Sequence, residues 1–519
     1  MNITQVLHRN LQLVGDRPMT ICGERTHTTR QFVDRVARLG GALQQLGMRP
    51  GDRVGMLALN SDRYMEYFFG VPWGDGVLNP CNIRWSASEN AYALNDSETS
   101  ILIVDETFKT MGTQLRQDVG SLRHVIYAGD GETPPGMLGY EGLLAEAHPI
   151  EDSRRGGEAL LGVFYTGGTT GFPKGVMLTH SAFYASQIAV TAEGVVGQDA
   201  TLLRSAPMFH LADIGIGYVG VLQRARHVIL SSFAPVAAMQ AIERHRADAA
   251  LLVPAMIQML INHPDVMKYD LSSLKSLVYG ASPIQEKVLH DLMELLPHLR
   301  MRQAYGQTEM GPLISLLEPE HHSAQGSEAG MLRSCGRPGL CVEVRIVDAN
   351  GNEVPRGTVG EIAARGPNMM LGYWNKPEQT KVALPGDGWL RTGDGAYMDD
   401  KGYLFIVDRV KDMIVTGGEN VFSAEVENAL ASHGDVAMCA VIGIPSEQWG
   451  ESVHAVIVPK NGKTPIPDDL IDHCKALIAG YKCPKSVEIR EALPLSGAGK
   501  ILKTELREPY WQGQGRRVA

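Results

Sequence analysis

An α/β fold in two domains is predicted by three features of this 519-residue chain. Helical and β-rich runs alternate to about residue 320, short strands and turns then replace them, and the charged stretch Asp408-Arg409-Val410-Lys411-Asp412 precedes a fresh α/β pattern. In the first region, Phe32, Val33, Val36, Leu39, Leu43 and Leu46 recur at helical spacing behind Thr28-Thr29, and Gly47 supplies the stop. Residues 53–59, 100–104, 228–231, 249–253 and 276–279 read as strands. From 342 to 407 the turns Asn350-Gly351-Asn352 and Pro355-Arg356-Gly357 separate short strands, which predicts a smaller β-rich subdomain closing the large one. The strand over 403–407 runs into the charged stretch, so the boundary falls there, giving domains 1–408 and 409–519. The second carries strands over 437–442, 453–458 and 486–489 and a helix over 470–477, and it includes the loop Ser496-Gly497-Ala498-Gly499-Lys500.

Composition bounds the function. The chain is too long for one compact core, and 44% hydrophobic with 20% charged residues is ordinary for a globular enzyme. A net charge of −10 disfavours a nucleic-acid or anionic-membrane binder held by a general basic field, so an anionic ligand must meet a local cluster. The first ten residues lack an apolar signal core and nowhere do 18 apolar residues run together, which predicts a cytoplasmic protein with no integral membrane segment. Seven scattered cysteines without a Cys-x-x-Cys pair fit a reducing compartment and read as small buried hydrophobes rather than a zinc site.

The chemistry concentrates in five loops. Tyr165-Thr166-Gly167-Gly168-Thr169-Thr170-Gly171-Phe172-Pro173-Lys174-Gly175 follows a short apolar run. Its glycines let backbone N–H groups approach an anion, its threonines add hydroxyl donors, and Lys174 adds a positive charge. Lys174 sits between Pro173 and Gly175, so this is not a Walker A loop. Tyr305-Gly306-Gln307-Thr308-Glu309 offers a carboxylate suited to Mg²⁺ shared with nucleotide phosphates. In Trp389-Leu390-Arg391-Thr392-Gly393-Asp394, Asp394 is able to accept two ribose hydroxyls. Arg409 with Thr416-Gly417-Gly418-Glu419-Asn420, and the loop ending at Lys500, complete the set. Each alone is more often a surface turn, a solvated charge or a helix cap than a ligand site; their fixed order carries the argument.

In that order the chain resembles the adenylate-forming acyl-CoA synthetase superfamily over essentially its full length, and is most similar to bacterial fatty-acyl or aryl-CoA ligases. The resemblance implies a large N-terminal domain of two α/β lobes plus a β-barrel-like subdomain, with a small mobile α+β domain at the C-terminus. It implies ATP and CoA as co-substrates, Mg²⁺ as cofactor and a carboxylic acid as the group activated; a homodimer is left open. Thr166, Gly167, Gly168, Thr169, Thr170, Gly171 and Lys174 would cover the pyrophosphate, and Thr166 and Glu309 would approach Mg²⁺. Gly280, Ala281, Tyr305, Gly306 and Thr308 would line the nucleotide, with Asp394 and Arg409 on the ribose. Lys411 matches the hinge, Gly417 and Gly418 the pantetheine channel, Trp449 and Tyr481 the CoA nucleotide contacts, and Lys500 the mobile catalytic lysine. His210, in Pro207-Met208-Phe209-His210, matches the acyl gate, although a satisfied interior histidine is an equal reading. The family loop usually carries serine where Gly167 stands.

Rival readings are specific. Gly215-Ile216-Gly217-Tyr218-Val219-Gly220 spells a dinucleotide fingerprint, but it follows a poor strand, and close helix packing accounts for it better. An enzyme loading a separate carrier protein is the alternative within the superfamily; the tail 501–519 is too short to be a carrier segment. Lys482, Lys485, Lys503, Arg507, Arg516 and Arg517 are candidates for CoA phosphates or simply a solvated surface. Acetate-type members carry tryptophan where Gly306 stands, so acids longer than propionate are expected, with Gly215, Gly217 and Gly220 offering more room.

Overall fold

The computed structural model describes residues 1–519 apart from 168–172, 283, 324–330, 410–412, 418, 447, 496–500 and 512–519, and only the backbone of Asp408, Arg409 and Asn420. Two large sheets organise the first region. One has eight strands in the order Gly372–Tyr373, Lys174–Thr179, Leu160–Thr166, Val77–Pro80, Arg53–Leu57, Ile101–Val104, His124–Tyr127 and Leu138–Gly139. From Leu160–Thr166 onward the neighbours are parallel, and the Ile101–Val104 strand is buried throughout, as a strand covered on both faces requires. The helix Thr29–Gln45 starts as expected: Thr28 and Gln31 form a reciprocal capping box, an arrangement worth about 0.5–2 kcal/mol. Gly47 stands at φ +83 just past its end.

The second sheet has nine strands, with Arg300–Gly306, Ser276–Gly280, Ala249–Leu252, Thr201–Arg204 and Arg226–Ile229 at its centre. The N-terminal hairpin of Pro18–Cys22 and Arg25–Thr28 joins it by pairing in parallel with Arg226–Ile229. Helix Asp62–Trp73 is buried along its whole length, and its Phe68 and Phe69 pack against Phe183 and Tyr218 in a core drawn from both sheets.

The β-rich subdomain is an antiparallel four-stranded sheet of Glu343–Val347, Gly360–Arg365, Leu390–Met398 and Leu404–Arg409, around Ile346, Ile362, Ala396 and Leu404. The last sheet pairs Glu419–Val421, Ile414–Thr416, Gly450–Pro459, Val436–Ser446 and Ser486–Ile489, with helices Ser423–Ala431, Pro467–Leu477 and Lys503–Trp511. It has its own core of Ile414, Val441, Val453, Ile457 and Leu470. Among the described residues no helix is long and apolar enough to cross a membrane.

The fingerprint glycines fall inside the buried helix Leu211–Leu222, not at a strand-to-helix turn, which removes the dinucleotide reading. They do not open room for a substrate either. A Cβ at Gly215 would lie 2.9 Å from Gln187 Oε1, one at Gly220 2.8 Å from the His227 ring, and one at Gly217 would overlap the Arg204 guanidinium. That guanidinium is itself buried in an ion pair with Asp213, so the space belongs to the protein's own side chains.

Candidate active site

The hairpin of Leu160–Thr166 and Lys174–Thr179 ends on the pairs Tyr165 with Gly175 and Thr166 with Lys174. The Gly/Thr-rich loop thus leaves and re-enters the sheet at one point, with Thr166 and Lys174 side by side at its mouth. Gly167 is exposed, and Gly168, Thr169, Thr170 and Gly171 lie outside the described residues. Tyr165 anchors the base: its hydroxyl donates to Asp96 Oδ2 at 2.6 Å, and burial beside that carboxylate pushes the phenol up.

The two-residue strand Gly372–Tyr373 pairs with the loop's returning strand, setting Tyr373 opposite Val176. Lys174 Nζ lies 5.1 Å from the centroid of the Tyr373 ring, within cation–π range. The Tyr373 hydroxyl donates to Glu309 Oε1 at 2.8 Å, and burial together with Glu309 pushes its pKa up, so it stays protonated as a donor. Glu309 rides on the short turn Thr308–Met310 that follows the strand Arg300–Gly306. Its backbone oxygen accepts Met370 N–H at 2.9 Å, and Asn368 Nδ2 donates to Met310 O at 2.6 Å and Leu313 O at 3.0 Å. Glu309 is half-buried, and its carboxylate, like the Thr166 hydroxyl, is an oxygen donor of the kind Mg²⁺ takes.

Tyr305 donates its hydroxyl to Asp394 Oδ2 at 2.7 Å, and burial beside that carboxylate pushes the phenol well up. Asp394 is 9% exposed, pairs by backbone with Arg409, and has its N–H on Thr392 Oγ1 at 3.1 Å. The residues lining a cavity of about 510 Å³ include Lys174, Tyr373, Glu361, Arg391, Thr392 and Gly393. Gly280 pairs with Ala304 at the strand end, and Ala281 follows at φ +67, a left-handed conformation that alanine rarely adopts. His210 is half-buried at the N-cap of Leu211–Leu222, where its Nδ1 accepts Ala212 N–H at 3.3 Å; the imidazole thus has a structural task alongside any gating one.

Gly306 corrects an expectation. A Cβ there would overlap the Pro312 carbonyl oxygen, which accepts Gln307 N–H at 2.9 Å. The residue is small because two backbone segments meet, so it is no measure of acyl room.

In the C-terminal region Gly417, at φ +60, packs under Trp449 and donates its N–H to Trp449 O at 2.8 Å; Trp449 and Tyr481 are about half exposed. Lys482 and Lys503 each pair with a carboxylate, Glu425 and Glu427, at 2.8 Å. Lys411, Gly418 and Lys500, and the side chain of Arg409, lie outside the described residues. Tyr373, Asn368 and Asp96 were missed from the sequence. Gly372-Tyr373-Trp374-Asn375, two aromatics in a Gly- and Pro-flanked stretch of a β-rich region, is the signal that marks the first.

Comparison with known proteins agrees with this architecture. Residues 7–374 match the family model described as AMP-binding enzyme, and 425–500 match AMP-binding enzyme C-terminal domain. A feruloyl-CoA synthase of an Amycolatopsis species is 38% identical over 93% of this chain and 94% of its own. A fatty acid–[acyl-carrier-protein] ligase, ScoC of Streptomyces coeruleorubidus, is 35% identical over 96% and 95%. The crystal structure of the anthranilate CoA ligase AuaEII in complex with anthranoyl-AMP superposes with a TM-score of 0.90 at 26% identity, covering 98% of this chain and 97% of that one. The chain belongs to the AMP-binding enzymes, the adenylate-forming acyl-CoA synthetase superfamily, and is an AMP-forming acid–thiol ligase.

Proposed function

We propose that the protein joins a carboxylic acid to CoA through an acyl-adenylate, releasing AMP and pyrophosphate, and that the acid is an aryl acid or a medium- to long-chain fatty acid. The observation that supports this most directly is the meeting of Lys174, Tyr373 and Glu309 at the mouth of the Gly/Thr-rich loop. Attack of a carboxylate on the α-phosphorus sets anion against anion, so the site must neutralise both and stabilise the charge that builds on the phosphoryl oxygens. Lys174 with the loop N–H groups would hold the outer phosphates, Asp394 and Arg409 the ribose, and Tyr305 would flank the adenine while orienting Asp394. Thr166 and Glu309 would hold Mg²⁺, which supplies charge neutralisation on the phosphates. Lys500 would bridge the acid and the α-phosphate, and rotation of 409–519 about Lys411 would then bring Gly417 and Gly418 to the site for CoA. Seven unpaired cysteines suit a reducing cytoplasm.

The names of the relatives support the range of acids, since one is a feruloyl-CoA synthase and another a fatty-acid ligase. A panel of aryl and C4–C18 alkyl acids with ATP, Mg²⁺ and CoA tests it: AMP, pyrophosphate and acyl-CoA are the expected products. ADP and phosphate in their place would end the adenylation reading. The second reading, loading of a separate carrier protein, has the ScoC relative in its favour. Transfer to a phosphopantetheinyl carrier but not to CoA would select it.

A further inference from the structure

The residues 366–375 cross three parts of the proposed nucleotide site, and Tyr373 is where the crossing becomes chemical. Asn368 holds both ends of the turn behind Glu309, and Met370 N–H holds the Glu309 carbonyl. Leu371 and Trp374 donate backbone N–H groups to Met177 O and Gly175 O, at 2.9 and 2.7 Å, on the strand that returns from the Gly/Thr-rich loop. Trp374 Nε1 and Asn375 Nδ2 donate to Asp96 O at 2.9 and 3.2 Å, on the residue whose carboxylate anchors Tyr165. Tyr373 is itself fixed by its N–H on Thr380 Oγ1 at 2.9 Å. Its backbone is therefore held in place, and its side chain stands between Lys174 on its ring and Glu309 on its hydroxyl.

Opposite charges this near in a partly dehydrated cleft pair with each other unless something is placed between them. Here Lys174 rests on the Tyr373 ring and Glu309 on the Tyr373 hydroxyl, so the ring takes one charge and the hydroxyl the other. The hydroxyl occupies Glu309 Oε1.

We propose that Tyr373 is a positioning residue for MgATP: its hydroxyl aims the Glu309 carboxylate at the metal, and its ring holds the Lys174 ammonium for the phosphates and out of an ion pair with Glu309. The proposal rests on the nucleotide-site reading given above. It assigns the two halves of one side chain to two different ligands, so they separate by substitution. Tyr373→Phe keeps the ring and loses the orienting hydroxyl; Tyr373→Leu loses both.

The experiment uses the full-length chain and these two variants. Mn²⁺ in the presence of ATP is followed by water-proton relaxation, ATP without metal by calorimetry, and kcat as a function of Mg²⁺. Tyr373→Phe is expected to weaken Mn²⁺ binding about tenfold, the scale for losing a partner that orients a metal-binding group, and to leave metal-free ATP binding within about twofold. Raising Mg²⁺ should return its kcat toward that of the parent, which general damage to the fold would not allow. Tyr373→Leu should weaken metal-free ATP binding as well, because Lys174 then falls onto Glu309. Parental Mn²⁺ affinity in Tyr373→Phe, or a loss that Mg²⁺ does not restore, overturns the role of Tyr373 while leaving the nucleotide site in place. A parent that binds neither ATP nor Mn²⁺ overturns the nucleotide-site reading and this proposal together.

Discussion

At Gly167 a Cβ would meet no described atom within 4 Å, and the residue is not in the left-handed region. Serine, which the resemblance leads one to expect there, meets no described residue and would return a hydroxyl to the phosphate loop. Gly167→Ser should lower the KM for ATP about threefold to tenfold, the scale of an ordinary net hydrogen bond of about 0.5–1.5 kcal/mol, with kcat unchanged. An unchanged KM would mean that backbone N–H groups already saturate the phosphate. Gly306 behaves oppositely. Its Cβ position overlaps the Pro312 carbonyl, so Gly306→Trp has to displace the backbone that carries Thr308 and Glu309. The sequence alone suggests a switch toward acetate; the structure predicts a loss of activity with every acid and a melting temperature lowered by several degrees, on the scale of about 1–3 kcal/mol for overpacking. Retained activity with acetate alone would restore the pocket reading.

At the scale of elements, the helix Leu211–Leu222 shows how a glycine pattern is misread when its partners lie far along the chain. Alanine in place of a helical glycine ordinarily stabilises by about 1 kcal/mol. At Gly217 the added methyl meets the Arg204 guanidinium, which is pinned by Asp213 and by His227 Nδ1 at 3.3 Å. Gly217→Ala should therefore destabilise by about 1–3 kcal/mol, while Gly197→Ala, where a Cβ meets nothing, should be neutral. Equal melting temperatures for the two would show that Arg204 yields freely. The same distance along the chain explains what was and was not legible. The helix Thr29–Gln45 and the strand Ile101–Val104 were readable because their apolar period and caps are local. The strap that carries Tyr373 was not, because a two-residue strand has no period and its partners, Val176 and Glu309, lie roughly 200 and 60 positions away. Tyr305 and Asp394 were both singled out as loop residues, yet nothing local announced that one would hydrogen-bond the other.

For the whole molecule, the alternation of helices and strands foretold α/β architecture, but not that the hairpin of Pro18–Cys22 and Arg25–Thr28 would cross to the second sheet or that Gly372–Tyr373 would return to the first. Division of labour between the proposed domains is testable through Lys500. If that lysine acts only while acid meets α-phosphate, Lys500→Ala should lower adenylate formation about 10²- to 10³-fold, with the ATP KM little changed. Thioester formation from supplied acyl-AMP and CoA should survive; equal losses in both steps would end the rotating-domain account. Acid stability draws on three histidines, His180 and His227 buried and His322 half-buried. Burial pushes His180 down to about 3 and His322 to about 4, and drives His227, beside Arg204, well below the ordinary 6.5. The fold thus holds all three neutral, whereas the unfolded chain protonates them near pH 6.5. Well above that pH they add no slope; below it unfolding takes up as many as three protons on these groups, a loss of up to about 4 kcal/mol per pH unit, which Glu66 offsets in part because burial raises its carboxyl to about 6 and the fold takes that proton first. Acidification also reduces the net charge from −10, which relieves self-repulsion and works in the opposite direction. Calorimetry at pH 7.5, 6.5 and 5.5 separates the two effects. A melting temperature nearly level from 7.5 to 6.5 and falling steeply by 5.5, with a shallower fall in His180→Leu, is the expected result. A melting temperature that rises toward pH 5.5 would mean that relief of charge repulsion, with the protonation of Glu66, outweighs the histidines.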